Sequence, residues 1–300
     1  MGNEVDTGNG PAPEPGEVTD SLLAAVEEAV REVVAAEVMP RRNRLTAADI
    51  GHKSSPLDLV TTADRRAEEA LTRRLTDLLP GSVVVGEEAV GVDPSVLDRL
   101  RGPAPVWVVD PIDGTAAFVR GDEGFSTLVT LVSRGRPLAS WTYGPCLDLF
   151  ATARPGRGAH LDGQPLRTRP DSAGPLRIWT SDPVFRTGAE RVRLARLAAA
   201  ATSLPCQTSA GLAYLEVARG RADAVAFFWE APWDHAAGTL LVTEAGGSSL
   251  TLAGRPFAIP GGNALPFTTA RDEPTARWII DTMAGVDAAG TTRDAKAAER

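Results

Sequence analysis

Residues 107–115 read Trp-Val-Val-Asp-Pro-Ile-Asp-Gly-Thr, and no other stretch limits the possible folds as sharply. An apolar run rich in β-branched and aromatic residues predicts a strand, yet this one ends abruptly in two carboxylates around a proline. Pro111 and Gly114 predict that the chain leaves the sheet in a turn, with Asp110 and Asp113 at i and i+3 so that their oxygens converge on one cation. Gly114 and Thr115 would then offer backbone N–H groups to an anion at the start of a short helix. The strand end therefore pairs hard-metal ligands with a phosphate cradle. A plain surface turn is the competing reading, because Asp, Pro and Gly are the commonest turn formers.

The flanking sequence supplies a sheet for that strand. Short runs rich in Val, Trp and Phe recur at 83–85, 127–132, 139–143 and 149–153, and with 106–109 they predict an antiparallel meander. Upstream, Thr19 or Asp20 caps a helix whose residues Leu22, Val26, Val30, Val33 and Val34 keep helical spacing until Pro40. A second helix over 63–79 carries the stripe Ala67, Leu71, Leu75 and Leu78 and stops at Pro80-Gly81; both helices are predicted to cover the sheet. After residue 170 strands (176–180, 224–228) alternate with helices (189–202, 211–219, 235–245, 274–283). Residues 1–18 and 288–300 lack a periodic apolar pattern and read as disordered tails. That leaves an N-terminal α+β subdomain over 19–168, with most candidate ligands, and a C-terminal α/β subdomain over 169–287, with Asp234.

The 300 residues are 43% hydrophobic and 23% charged, enough apolar surface for a sizeable core. A net charge of −8 argues against nucleic-acid binding through a broad basic face, which works by neutralising phosphates. Glu4, Asp6, Glu14, Glu17 and Asp20 supply much of that charge, so the rest of the chain is close to neutral. No run of about 18 apolar residues marks a membrane span, and no basic, apolar leader opens the sequence, so a cytoplasmic enzyme is the expectation. Cys146 and Cys206 lie far apart, fit no metal pattern and read as buried thiols.

Three further acids stand where an apolar run breaks: Asp64 after Val60-Thr61-Thr62-Ala63, Glu87 after Val85-Gly86, and Asp234 after Pro232-Trp233. Taken singly, such acids are helix caps as readily as ligands, and Asp234 ahead of His235 fits a cap. Together with Asp110 and Asp113 they form an all-oxygen, histidine-free set that favours Mg²⁺ or Mn²⁺ over Zn²⁺. Two or more such ions about 4 Å apart suit hydrolysis of a phosphate ester by an activated water.

The blocks Lys53-Ser54-Ser55-Pro56, Asp58-Leu59-Val60-Thr61 with Asp64, Gly86-Glu87-Glu88, Asp110-Pro111-Ile112-Asp113-Gly114-Thr115 and Trp233-Asp234-His235-Ala236-Ala237-Gly238 occur in one order and spacing. In them the chain resembles the inositol monophosphatase family over roughly residues 20–285. The resemblance implies an α+β fold, a layered αβαβα sandwich of the inositol monophosphatase and fructose-1,6-bisphosphatase type, usually a homodimer. It also implies Mg²⁺-dependent, Li⁺-sensitive hydrolysis of a small phosphate monoester, with two or three ions per site. Carried over by motif, Glu87, Asp110, Asp113 and the carbonyl of Ile112 hold one ion. Asp110, Asp113 and Asp234 hold a second, and Asp64 with Glu87 a third, weaker one. Thr115, bonded toward Asp64, orients the attacking water, and the Gly114 and Thr115 amides hold the phosphate. Ser209, Ala210 and Asp234 line the substrate side, while Lys53 balances the acidic charge.

Two places depart from the family pattern. Ala116-Ala117-Phe118 replaces a polar pair usual after Gly-Thr and leaves the ligands intact. The glutamate that contacts inositol hydroxyls in the family falls on Phe227, which accepts no hydrogen bond, so the leaving alcohol is open. Glu230 is a candidate to reach the pocket instead, with a rim charge as the alternative. Phe227, Phe228 and Trp229 read as core strand residues ahead of an aromatic substrate wall, and His235 as a helix-start residue ahead of a base. A histidinol-phosphatase, or a phosphatase for a specialised sugar or nucleoside phosphate, is the second enzymatic reading. A catalytically silent scaffold for phosphorylated metabolites is the reading from another class, against which stand the five acids and Thr115.

Overall fold

Thr19 accepts a hydrogen bond from the Leu22 N–H at 3.2 Å and starts helix α1 (Asp20–Val33). The computed structural model describes residues 18–53, 59–169, 174–180, 186–204 and 209–286. Most of both sequence-predicted tails, Cys206 and residues 54–58 of the Lys53 motif lie outside them. A short antiparallel hairpin, β1 (Ile50–His52) with β2 (Leu59–Thr61), leads into α2 (Thr62–Leu78). Helix α2 opens with a capping box between Thr61 and Asp64, and its buried stripe Ala67, Leu71 and Leu75 packs on the sheet below.

That sheet holds seven strands in chain order. They are β3 (Val83–Gly86), β4 (Val106–Asp113), β5 (Ser126–Ser133), β6 (Arg136–Gly144), β7 (Leu149–Arg154), β8 (Gly158–Leu161) and β9 (Gln164–Pro165). From β4 onward the pairing is antiparallel. The first pair corrects the meander, because β3 and β4 are parallel. Between them runs α3 (Glu87–Val92) and a tighter helix over Pro94–Arg101, the kind of crossover that parallel neighbours require. A second correction concerns Pro111: β4 does not leave the sheet there but continues to Asp113, with a register shift against β5 between Asp110 and Asp113. A bulge tolerates a residue without an N–H, and the Pro111 carbonyl is met by Thr127 Oγ1 at 2.8 Å. The chain departs at Gly114, whose φ of +94° starts the short helix α4 (Thr115–Arg120).

The remaining chain runs β10 (Arg177–Thr180), α5 (Gly188–Ala200), β11 (Thr202–Ser203), α6 (Ala210–Ala218), β12 (Ala224–Phe227) and α7 (Pro232–Glu244). It closes with β13 (Ser248–Thr251), β14 (Phe267–Ala270) and α8 (Glu273–Ala284). These strands form a second sheet in the order β11-β10-β12-β14-β13. The layers are α1 with α2, the first sheet, α6 with α7, the second sheet, and α5 with α8. This is an α+β fold, the layered αβαβα sandwich. Cys146, in the turn between β6 and β7, is half-buried rather than buried, because it packs at the edge of the core. No helix among the described residues is long and apolar enough to cross a membrane.

The middle layer depends on a close approach of its two helices. A Cβ at Gly238 of α7 would lie 2.0 Å from the ring of Tyr214 on α6, and that ring is fully buried. Alanine gains about 1 kcal/mol of helix propensity over glycine, whereas overpacking a buried ring costs about 1–3 kcal/mol and sometimes more. Gly238→Ala is therefore expected to lower the urea midpoint by the equivalent of about 1 kcal/mol or more. An unchanged or higher midpoint would show that the layer yields without strain.

Candidate active site

The end of β4 and the first turn of α7 bring Asp110, Asp113 and Asp234 together, with carboxylate oxygens within 4.8 Å of one another. Asp234 does not cap α7: the N-cap is Ala231, and it makes no side-chain cap bond. Asp113 is the most heavily bonded of the three. Its Oδ2 accepts from Ser209 Oγ at 2.6 Å, Gly211 N at 2.7 Å and Ser126 Oγ at 2.8 Å, and its Oδ1 from Ala210 N at 3.0 Å. Ser209 is also the N-cap of α6, so the cap and the substrate-side placement fall on one residue. Asp110 Oδ1 accepts the Ile112 N–H at 3.0 Å.

Asp64 unites two roles in the same way. Its Oδ2 accepts the Thr61 N–H at 2.8 Å in the capping box, while its Oδ1 lies 3.3 Å from Thr115 Oγ1. Thr115 Oγ1 is 3.0 Å from the Ile112 carbonyl as well, so two acceptors share one hydroxyl proton. Lys53 Nζ stands 2.7 Å from Glu87 Oε1 and 2.7 Å from Glu88 Oε1. Lys53, Glu87 and Asp234 line a common cavity of about 1060 Å³.

Burial and mutual repulsion dominate the electrostatics. Desolvation, then the Glu87 charge, pushes Asp110 and Asp234 well above the usual carboxylate range. Asp64 is pushed up to about 6, first by burial, and burial raises Glu88 to about 7 against the pull of Lys53. Burial also raises Asp113, and its donors limit the rise. Burial opposes the charge on Lys53, yet Glu87 and Glu88 outweigh it and hold the ammonium above the usual lysine value.

Other candidates fall outside this centre. Phe227 lies in the core, packed against Tyr214, Trp229, His235 and Phe267, and Phe228 is buried too. Trp229 departs from the core-strand reading: β12 ends at Phe227, and the half-buried indole N–H donates to Asp234 Oδ2 at 2.5 Å. Glu230 accepts from Asn263 N at 2.8 Å and Nδ2 at 2.9 Å, which ties it to the 258–263 loop. His235 is fully buried, its Nδ1 3.2 Å from Tyr214 Oη, and burial lowers its pKa to about 3. Of the two alanines that replace the family's polar pair, Ala116 is half-buried and Ala117 buried beside Phe118.

Sequence reasoning missed Glu68. Its oxygens accept the Glu88 N–H at 2.8 Å and the Ala89 N–H at 2.9 Å, fixing the start of α3 and with it Glu87. Gly86 makes room, since a Cβ there would lie 2.3 Å from the Glu68 carboxyl carbon. The signal available was spacing: Asp64 and Glu68 are i and i+4 on α2 and share one face.

The comparisons with known proteins agree with this geometry. A sequence model described as "Inositol monophosphatase family" matches residues 18–278. The chain belongs to the inositol monophosphatase family. It is similar to inositol-1-monophosphatase of Bacillus subtilis (strain 168), 33% identical over 208 residues, 68% of this chain and 77% of that one. It is also similar to a protein of Pseudomonas aeruginosa named Nus factor SuhB, 36% identical over 216 residues, 68% of this chain and 76% of that one. The crystal structure of inositol monophosphatase II from Staphylococcus aureus superposes with a TM-score of 0.70 at 26% identity, covering 88% and 94% of the two chains. Within this inositol monophosphatase fold, Glu68→Ala strands two amide donors, so a loss of about 2–3 kcal/mol is expected, read as a lower urea midpoint. A midpoint equal to that of the unsubstituted protein would show that the α3 start holds without Glu68.

Proposed function

We propose that this chain hydrolyses a small-molecule phosphate monoester in a Mg²⁺-dependent reaction with a water nucleophile. The observation that carries the reading is the convergence of Asp110, Asp113 and Asp234 within 4.8 Å. Carboxylates raised first by desolvation, with the charges of neighbouring acids adding at Asp110 and Asp234, form an all-oxygen donor set that fits a hard divalent cation. In this reading Glu87, Asp110, Asp113, Asp234, the Ile112 carbonyl and, more weakly, Asp64 hold two or three ions, with Mn²⁺ as a substitute. When bound, the metal supplies charge neutralisation at the phosphoryl group and a lowered pKa for the attacking water. Thr115, between Asp64 and the Ile112 carbonyl, orients that water, and the Gly114 and Thr115 amides receive the phosphate. Lys53 offsets the charge of Glu87 and Glu88, Ser209 and Ala210 fix Asp113 on the substrate side, and His235 stands apart from the proton transfers. A homodimer and Li⁺ sensitivity belong to the same reading.

The retained set of acids and Thr115 favours this hydrolase over a catalytically silent scaffold. The test is phosphate release from a panel of inositol, histidinol, sugar and nucleoside phosphates, with Mg²⁺, with chelator and with Li⁺. Release is expected with Mg²⁺ alone and not after chelation; release that survives full chelation would overturn the reading. Asp110→Asn keeps an acceptor for the Ile112 N–H but removes an anionic ligand, several kcal/mol of transition-state stabilisation. Turnover is expected to fall about a thousandfold or more with an unchanged circular dichroism spectrum, and near-normal kcat would reject the site.

A further inference from the structure

Arg186 lays its guanidinium over two aromatic rings, 5.3 Å from the centroid of Trp229 and 5.9 Å from that of Phe228. The side chain is half-buried, and its Nε has no hydrogen-bond partner. Among the described residues no carboxylate pairs with it; Glu190 acts only through space, and burial lowers the pKa. A cation so placed has lost hydration without gaining a paired carboxylate among the described residues, which costs free energy unless an anion completes the arrangement. Stacking on a ring leaves the edge of the guanidinium, with its fork of donors, free to meet a planar or tetrahedral anion.

The position of the ring gives this cation its meaning. Trp229 also donates its indole N–H to Asp234 Oδ2 at 2.5 Å. Arg186 and a carboxylate of the acidic centre thus share one indole, which sets the span an ester would need to meet both. Among the described residues Glu190 acts on Arg186 only through space, Glu230 is held by Asn263, and position 227 is a buried Phe. Lys53 serves no such purpose, being bound by Glu87 and Glu88.

We propose that Arg186 binds an anionic group on the leaving alcohol, so that the preferred substrates are phosphate monoesters carrying a second phosphate or a carboxylate. This assignment rests on the hydrolase reading above. It is tested with matched esters that differ only in the second anion: fructose 1-phosphate against fructose 1,6-bisphosphate, and adenosine 3′-phosphate against adenosine 3′,5′-bisphosphate. All are assayed at constant free Mg²⁺.

The unsubstituted enzyme is expected to favour the doubly anionic member of at least one pair by about tenfold or more in kcat/KM, the scale of one charge-assisted hydrogen bond. Arg186→Gln is expected to bring that ratio close to one through KM, and Arg186→Lys, which keeps the charge without the fork, to leave it in between. Circular dichroism and Mg²⁺ calorimetry on each variant report folding and the acidic centre separately from the ratio. Hydrolysis with no preference in either pair, or a preference that Arg186→Gln leaves intact, overturns the inference alone. Absence of Mg²⁺-dependent hydrolysis of every ester overturns the hydrolase reading and the inference with it.

Discussion

The carboxylate of Asp113 ties the first sheet to the middle helix layer. It ends β4 in the first sheet and accepts hydrogen bonds from Ser126 on β5 and from Ser209, Ala210 and Gly211 at the start of α6. Burying an ion costs several kcal/mol even after relaxation. Charge-assisted bonds of about 1.5–3 kcal/mol each, two of them from amides at the positive end of a helix, are of the size needed to offset that cost. The approach is possible because position 211 is glycine: a Cβ there would lie 2.5 Å from Leu128 and 2.6 Å from Ser126. Helix α6, fixed in this way, carries Tyr214, and the contact of Tyr214 with Gly238 seats α7. Seating α7 brings Asp234 to Asp110. The Gly of the Trp-Asp-His-Ala-Ala-Gly block and the second Asp of Asp-Pro-Ile-Asp-Gly-Thr thus belong to one chain of contacts, although neither touches the other.

What a local pattern determines was legible in the sequence. The stripes of α1 and α2, the strands from β4 to β7 and the helices of the second half follow from apolar spacing and from Pro or Gly stops. What depends on a distant partner was not. The parallel pairing of β3 with β4 is set by the short helical crossover between them, and 87–101 carries no apolar stripe long enough to announce it. Strands β13 and β14 hid behind Ser248, Ser249, Thr268 and Thr269, residues that read as turn or loop. In the structure the hydroxyls of Thr268, Thr269 and Ser249 are satisfied across the sheet, Thr268 on the Val225 carbonyl at 2.7 Å and Thr269 on Ser249 at 3.2 Å.

The candidate site divides along the same line. The convergence of Asp110, Asp113 and Asp234 was legible because each stands where an apolar run breaks, as do the candidates Asp64 and Glu87, and a charge at such a point is exposed to a cleft or anchored by a helix start. Helix-start bonding and a place beside the centre are compatible: Asp64 completes the capping box of α2 with Thr61 and also faces Thr115, and Ser209 caps α6 and also binds Asp113. Glu68 and Ser126 were not legible as site residues, since each acts through a contact far away in sequence. The first supports the turn that presents Glu87, and the second supports Asp113.

Charge is left unbalanced in opposite senses at the two ends of Trp229. Toward Asp234 the excess is negative: Lys53 is bound by Glu87 and Glu88, and among the described residues no cation pairs with Asp110, Asp113 or Asp234. Toward Arg186 the excess is positive, with a half-buried guanidinium and no carboxylate in contact among the described residues. A phosphate monoester alone with its metal ions satisfies the first imbalance and leaves the second. An ester whose alcohol carries its own anion satisfies both, with the phosphoryl group at the acidic centre and the second anion against the guanidinium. The indole between them makes the spacing rigid, because its N–H is fixed on Asp234 while its face is fixed under Arg186. Discrimination by such a site would come from the distance between two charges rather than from hydroxyl contacts, and a buried Phe at position 227 is compatible with that mode of recognition.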